Sequence, residues 1–185
     1  MRAGSLMTFV VMACAVVGIA AAEQRAAQGT FQLSSADVKT TFAQTQVANT
    51  FGCSGGNVSP QLSWTGAPAG TKSFAITIYD PDAPTGSGWW HWVAVNIPAS
   101  VTQLASGASP GKMPAGTVET RTDFGKPGYG GPCPPPGETH HYIFTIYALK
   151  VDKLDLDAQA SGAMAGFMIR SNSLGSATFT VMFKR

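Results

Sequence analysis

Four segments set the terms for any fold this chain can adopt: Ser73 to Tyr79 (SFAITIY), Trp92 to Ile97 (WVAVNI), His141 to Leu149 (HYIFTIYAL) and Ala177 to Phe183 (ATFTVMF). Each is built from β-branched and aromatic residues, which suit a pleated, half-buried surface and read as strands. Gly/Pro punctuation separates them, without the regular strand–helix alternation that a parallel sheet requires. The fold class that remains is mainly β: an antiparallel sandwich with one or two peripheral helices. Phe31 to Leu33 and Gly116 to Thr120 are weaker strand candidates. One helix is predicted over Ala158 to Arg170, with Asp155-Leu156-Asp157 as an acidic N-cap region and Ser171-Asn172 as its end. Asp123 to Thr139, crowded with Gly and Pro, is a loop; loops of that length tend to carry function, and this one runs directly into His140-His141.

Residues 1–22 read as a signal peptide, with Arg2 as the positive n-region, an apolar run from Leu6 to Ala20 and the small-residue pattern Ala20-Ala21-Ala22 before Glu23. Cys14 after Val11-Met12-Ala13 loosely resembles a lipidation box, but the apolar run continues past it to Ala22. The expected mature chain, residues 23–185, has the length of a single domain and contains no second stretch able to span a bilayer. Only 12% of all residues are charged, and the +2 net charge of the full chain includes Arg2, so no basic footprint for nucleic acid is present. Cys53 and Cys133 are the cysteines outside the leader; export to an oxidising compartment, periplasm or medium, makes them a disulfide candidate.

The three histidines all lie near strand ends beside Gly/Pro loops. His91 follows Trp89-Trp90; Asp80-Pro81-Asp82-Ala83-Pro84 closes the segment beginning at Ser73; His140-His141 opens another segment after Pro134-Pro135-Pro136-Gly137. If these ends meet at one edge of the sandwich, Asp80, His91 and His140 converge on one concavity walled by Trp89, Trp90 and Tyr142. Asp82 reads as a turn former, and His141, on the opposite strand face from His140, as structural or exposed.

The segments Asp80 to Ile97 (DPDAPTGSGWWHWVAVNI) and Gly130 to Leu149 (GGPCPPPGETHHYIFTIYAL) resemble the two signature regions of the phosphatidylethanolamine-binding protein family, in its bacterial Raf-kinase-inhibitor-like branch. Gly55 to Trp64, Asp123 to Lys126 and Ser161 to Phe167 extend the likeness over nearly all of the expected mature chain. The resemblance implies a Greek-key β-sandwich with a small pocket for phosphate-type anions or phospholipid head groups. It assigns Asp80, His91, His140, Tyr142 and the wall proline Pro134 to that pocket, and with Trp90 these are the candidate ligand-binding residues. Trp90 and Trp92 depart from the His and Phe common in animal members, so lipid preference does not transfer.

Imidazole N–H groups can hold a phosphoryl oxygen while a carboxylate orients one ring, which agrees with those roles. A metal centre fits less well: there is no HExxH, and adjacent strand residues such as His140 and His141 point to opposite faces. The sequence has no P-loop or dinucleotide fingerprint, so a binding protein without cofactor or metal is expected rather than an enzyme. Its alternative is inhibition of a protein partner, a kinase or peptidase, through surface loops such as Gly125 to Pro136.

Overall fold

A computed structural model describes residues 30–185, so the leader expected at residues 1–22 lies outside the described residues. In chain order the elements are β1 (Gln32–Ser34), β2 (Leu62–Thr65), β3 (Ser73–Asp80), β4 (Trp89–Pro98), β5 (Gln103–Leu104), β6 (Val118–Glu119), β7 (Thr139–Leu149), α1 (Gly162–Asn172) and β8 (Ser173–Lys184). The four strong strand segments are all present and longer than their apolar residues alone indicate. Ladder pairing extends them: Asp80 sits opposite Trp89, and Thr139 opposite Lys184. Of the two weaker candidates, the first shifts by one residue to Gln32–Ser34 and the second shortens to Val118–Glu119, while β2 and β5 are too short to show a pattern.

The strands form two antiparallel sheets, a five-stranded one in the order β6-β4-β3-β7-β8 and a three-stranded one in the order β1-β2-β5. After the β3–β4 hairpin the chain visits the small sheet at β5, returns beside β4 as β6, and only then places β7 against the far side of β3. Ile76, Ile78, Trp92, Phe144 and Ile146 of the large sheet bury themselves against Leu62, Trp64 and Leu104 of the small one. Each such side chain contributes about 1.5–3 kcal/mol by leaving water. On the opposite face of the large sheet, Ala75, Val93 and Val95 pack under Leu154 and under Ala165 and Ile169 of α1.

The helix begins later than predicted. Its N-cap is Ser161, whose hydroxyl accepts from the Met164 N–H. Asp157, expected in the cap region, instead accepts from the N–H groups of Gln159 and Ala160 and closes a turn ahead of the helix. A short carboxylate side chain serves either purpose, and only the direction of the following backbone distinguishes them.

Strand β4 carries two bulges. Ile78 faces Trp92 and Tyr79 faces Trp90, so His91 is an extra residue with no partner on β3. Phe74 faces Ile97 and Ile76 faces Ala94, which puts a second extra residue in the 95–96 step. Asn96 there takes a left-handed φ of 62° and ties its amide to both the N–H and the C=O of Leu154. The first bulge decides what the site contains.

Candidate functional site

At the end of the large sheet where β3 stops and β4 and β7 start, a cavity of about 380 Å³ opens between the strand ends and the loops. Asp80, His91, His140, Tyr142 and Pro134 line it, together with Trp89, Pro135 and Pro136. Phe51, Phe124 and Arg185 also line it, and none of the three is a pocket residue by sequence pattern. Phe124 belongs to the Asp123 to Lys126 motif that carries part of the family resemblance; Phe51 and Arg185 arrive from chain regions with no local signature.

Trp90 is the exception among the expected lining residues. It lies on the other face of the sheet, 4.7 Å from the Tyr79 ring and against α1, where a Cβ on Gly162 would fall 2.4 Å from its indole. Strand alternation alone places Trp90 and Trp92 on one face and His91 on the other. The bulge breaks that alternation: Trp90 pairs with Tyr79 on the helix side, Trp92 pairs with Ile78 in the inter-sheet core, and His91 is turned toward the cavity. An extra residue in one strand re-aims the side chains around it, as bulges beside functional sites commonly do. Trp89, not Trp90, therefore supplies the tryptophan wall.

Asp80 is the hub. Its side chain is 3% exposed, and its Oδ2 accepts from His140 Nδ1 at 2.7 Å and stands 3.9 Å from His91 Nε2. Its Oδ1 accepts from the N–H groups of Asp82 and Ala83 at 2.8 and 3.2 Å, so the Asp-Pro-Asp-Ala turn is folded around the carboxylate. Asp82 reaches across to β7, where its Oδ2 accepts from both the backbone N–H and Nδ1 of exposed His141. Those two bonds, the backbone one first, hold the Asp82 carboxyl below its usual pKa. The pair lies outside the cavity and staples the turn to the strand that carries His140.

The two pocket histidines are electrically different. His91 Nδ1 lies 2.8 Å from the Gly130 carbonyl, which can only accept, so Nδ1 carries the proton. Burial drives its pKa down against the opposing pull of the Gly130 carbonyl and the Asp80 charge, and its ring is neutral with a lone pair at Nε2. Gly130 has to be glycine here, since a Cβ would enter the Phe124 ring at 2.3 Å. Burial also works to lower the His140 pKa, but hydrogen bonds to Glu138 and Asp80 and the charges of Asp80 and Asp82 outweigh it, and the net shift is upward. His140 donates from both nitrogens, to Asp80 at 2.7 Å and to Glu138 Oε2 at 3.0 Å.

Tyr142 is 1% exposed, its ring 5.1 Å from that of His91, and its hydroxyl has no hydrogen-bond partner. Burial, then the charges of Asp80 and Asp82, push its pKa well up, so it remains a neutral donor. At the mouth, Phe51, Trp89 and Phe124 touch one another with ring centroids 5.4–6.1 Å apart. Phe51 holds a left-handed φ of 53°, and Arg185 clamps its carbonyl and that of Gly52 at 3.1 and 3.0 Å. Beside this clamp Cys53 and Cys133 form a disulfide with Cα atoms 6.0 Å apart, and Cys133 itself lines the cavity.

A two-sheet antiparallel fold with a histidine- and aspartate-lined cavity at its strand ends is the architecture of a recognisable class of binding proteins. The phosphatidylethanolamine-binding protein family model matches residues 37–184, and the chain belongs to that family. It is 51% identical to the UPF0098 protein YbcL of Escherichia coli K12 over 160 residues, covering 83% of this chain and 87% of that one. It is 58% identical to YbhB of the same organism over 139 residues, covering 74% and 88%. The crystal structure of E. coli YbcL, described as a new member of the mammalian PEBP family, superimposes with a TM-score of 0.82 at 50% identity over 84% of this chain and 98% of that one. A putative lipoprotein of Mycobacterium tuberculosis, LppC, is 38% identical over 135 residues, 72% of this chain and 64% of that protein. Among the described residues no helix is long and apolar enough to cross a membrane.

Proposed function

We propose that this protein is an exported, non-enzymatic binding protein that captures a small oxyanion, a phosphate-type group free or on a phospholipid head group, in the cavity around Asp80, His91, His140 and Tyr142. The observation that carries the proposal is the Tyr142 hydroxyl: a neutral donor, buried without a partner, in the wall of a cavity that also holds an imidazolium and a second imidazole. A buried hydroxyl left unpaired costs about 1–3 kcal/mol, which a bound acceptor oxygen recovers. His140, oriented by Asp80, supplies the positive charge; His91 supplies a second donor once Nε2 is protonated. Pro134 to Pro136 form a wall whose fixed φ angles leave little freedom to lose on binding.

Export is supported by the leader-like residues 1–22, by the disulfide, which persists in oxidising compartments, and by the likeness to a putative lipoprotein. The test is calorimetric titration of the purified protein with inorganic phosphate and with glycerophosphoethanolamine, repeated on His140→Ala and after chelator treatment. Saturable binding that survives chelation and is lost in the variant is the expected result. Tighter binding of the glycerophosphodiester points to a head-group ligand, and preference for phosphate to a free anion. Equal binding by wild type and His140→Ala removes the proposed site.

A further inference from the structure

His140 has two N–H donors, and both are already engaged by carboxylates. The inner one belongs to Asp80, whose buried side chain is fixed by the turn that wraps it. The outer one, on Nε2, meets Glu138, and the two partners differ sharply in setting: the His140 side chain is 4% exposed, that of Glu138 53%. Glu138, which does not itself line the cavity, is thus a solvent-facing carboxylate that engages the outer N–H of an imidazole that does.

The backbone beneath it is anchored. Arg185 N–H donates to the Glu138 carbonyl, Gly137 N–H donates to the Arg185 carbonyl, and Glu138 N–H donates to Pro135. Only the side chain has freedom, and an exposed carboxylate can leave by rotating into water at small cost. Asp80 and Glu138 therefore play unequal parts: Asp80 fixes the ring, while Glu138 holds a place.

Resting on the anion-pocket reading above, we propose that Glu138 is an internal competitor, a resident carboxylate that occupies the His140 Nε2 position and has to be displaced by the incoming oxyanion. The charge count favours a direct exchange. A singly charged oxyanion in place of the Glu138 carboxylate leaves one cation facing one fixed and one incoming negative charge, as before. Tethered two residues away, Glu138 acts as a competing anion of high effective concentration. It lowers affinity for every oxyanion and sets a threshold below which the pocket stays self-occupied. The same group repels a second negative charge, so the pocket discriminates against dianions while Glu138 remains nearby.

The test compares wild type, Glu138→Ala, Glu138→Gln and His140→Ala in calorimetric titrations with inorganic phosphate and with glycerophosphoethanolamine, while two-dimensional NMR follows the His140 ring nitrogens. Removing the competing carboxylate is expected to tighten phosphate binding on the order of 3–30-fold, the worth of a partly exposed, charge-assisted pair. Glu138→Ala shows the larger effect, because the Gln amide oxygen can still accept from Nε2. In the Glu138→Ala protein without ligand the His140 pKa falls, and phosphate raises it again. If the Glu138 variants bind as wild type or more weakly while His140→Ala still abolishes binding, Glu138 only positions the ring, and the competitor role is overturned with the pocket intact. Absence of saturable binding in all four proteins would overturn both the competitor and the pocket.

Discussion

Removing the disulfide gives the largest stability change that can be worked from the structure. Cys53 and Cys133 are 80 residues apart, and in the chain-entropy model a cross-link of that span takes about 4.5 kcal/mol of freedom from the unfolded chain at 25 °C. For a domain of this size each kcal/mol moves the midpoint by about 2–4 °C, so the double variant Cys53→Ser/Cys133→Ser should melt roughly 9–18 °C lower. Guanidinium unfolding monitored by tryptophan fluorescence, with and without reductant, measures it: reduced wild type should match the double variant, and oxidised wild type should stand apart. Because Phe51, Cys133 and Pro134 form one wall of the cavity, oxyanion affinity should fall in the same variant even where the protein is fully folded. A stability loss below about 1 kcal/mol would refute the argument, as loop-closure entropy dominates it. So would two titratable thiols in the denatured, unreduced protein.

Tyr142→Phe removes a buried hydroxyl that has no partner, so the free protein should gain up to about 1 kcal/mol in denaturant unfolding while oxyanion affinity drops roughly tenfold or more. Gly162→Ala drives a methyl into the Trp90 indole and should cost about 1–3 kcal/mol with no change in oxyanion affinity, since Trp90 faces α1. Sulfate, whose charge is constant near neutral pH, should bind more tightly as pH falls, by up to tenfold per unit above the lowered His91 pKa. Here a neutral Nε2 gains a proton to serve the anion; the groups facing the ring are Asp80 on β3, Tyr142 on β7, and Phe124 beside Asp123 in the loop. Calorimetry in two buffers of different ionisation enthalpy should register that proton, and a flat pH profile would exclude the uptake. In the absence of ligand, the depressed His91 pKa stabilises the fold above about pH 6.5 and loses that contribution as pH falls toward the folded value. The raised His140 pKa acts in the opposite sense, contributing below about pH 6.5 and fading as pH rises through its folded value. His91→Gln and His140→Gln should therefore shift the pH–stability curve in opposite directions.

Much of the frame is legible in residue types because the large sheet buries both faces, and β3, β4 and β7 are accordingly rich in Ile, Val, Phe and Trp. The convergence of Asp80, His91 and His140 follows from their positions at strand ends, which antiparallel pairing brings to one edge. Three things were not legible. The extra residue in β4 is one: a uniform period of two puts Trp90 and Trp92 on one face opposite His91, whereas the bulge sends Trp90 against α1 and Trp92 into the inter-sheet core, leaving Trp90 outside the pocket. The helix start was set at Asp155 to Asp157 because carboxylates favour turns and caps alike. Phe51, Arg185 and the place of Glu138 over His140 depend on contacts between distant segments or on the rotation of one side chain, for which no local pattern exists.

The bulge at His91 also makes the binding face heritable in an unusual way. Losing one codon, that of Trp90 or of His91, would remove this bulge and leave β4 paired with β3 with only the irregularity at 95–96, so the lineage would keep a well-formed sheet. The imidazole would either vanish or swing under α1, and the pocket would fall silent without any scar in the core. Relatives that have lost this imidazole from the cavity should then be recognisable by length rather than by substitution, one residue short between the aspartate turn and the core tryptophan.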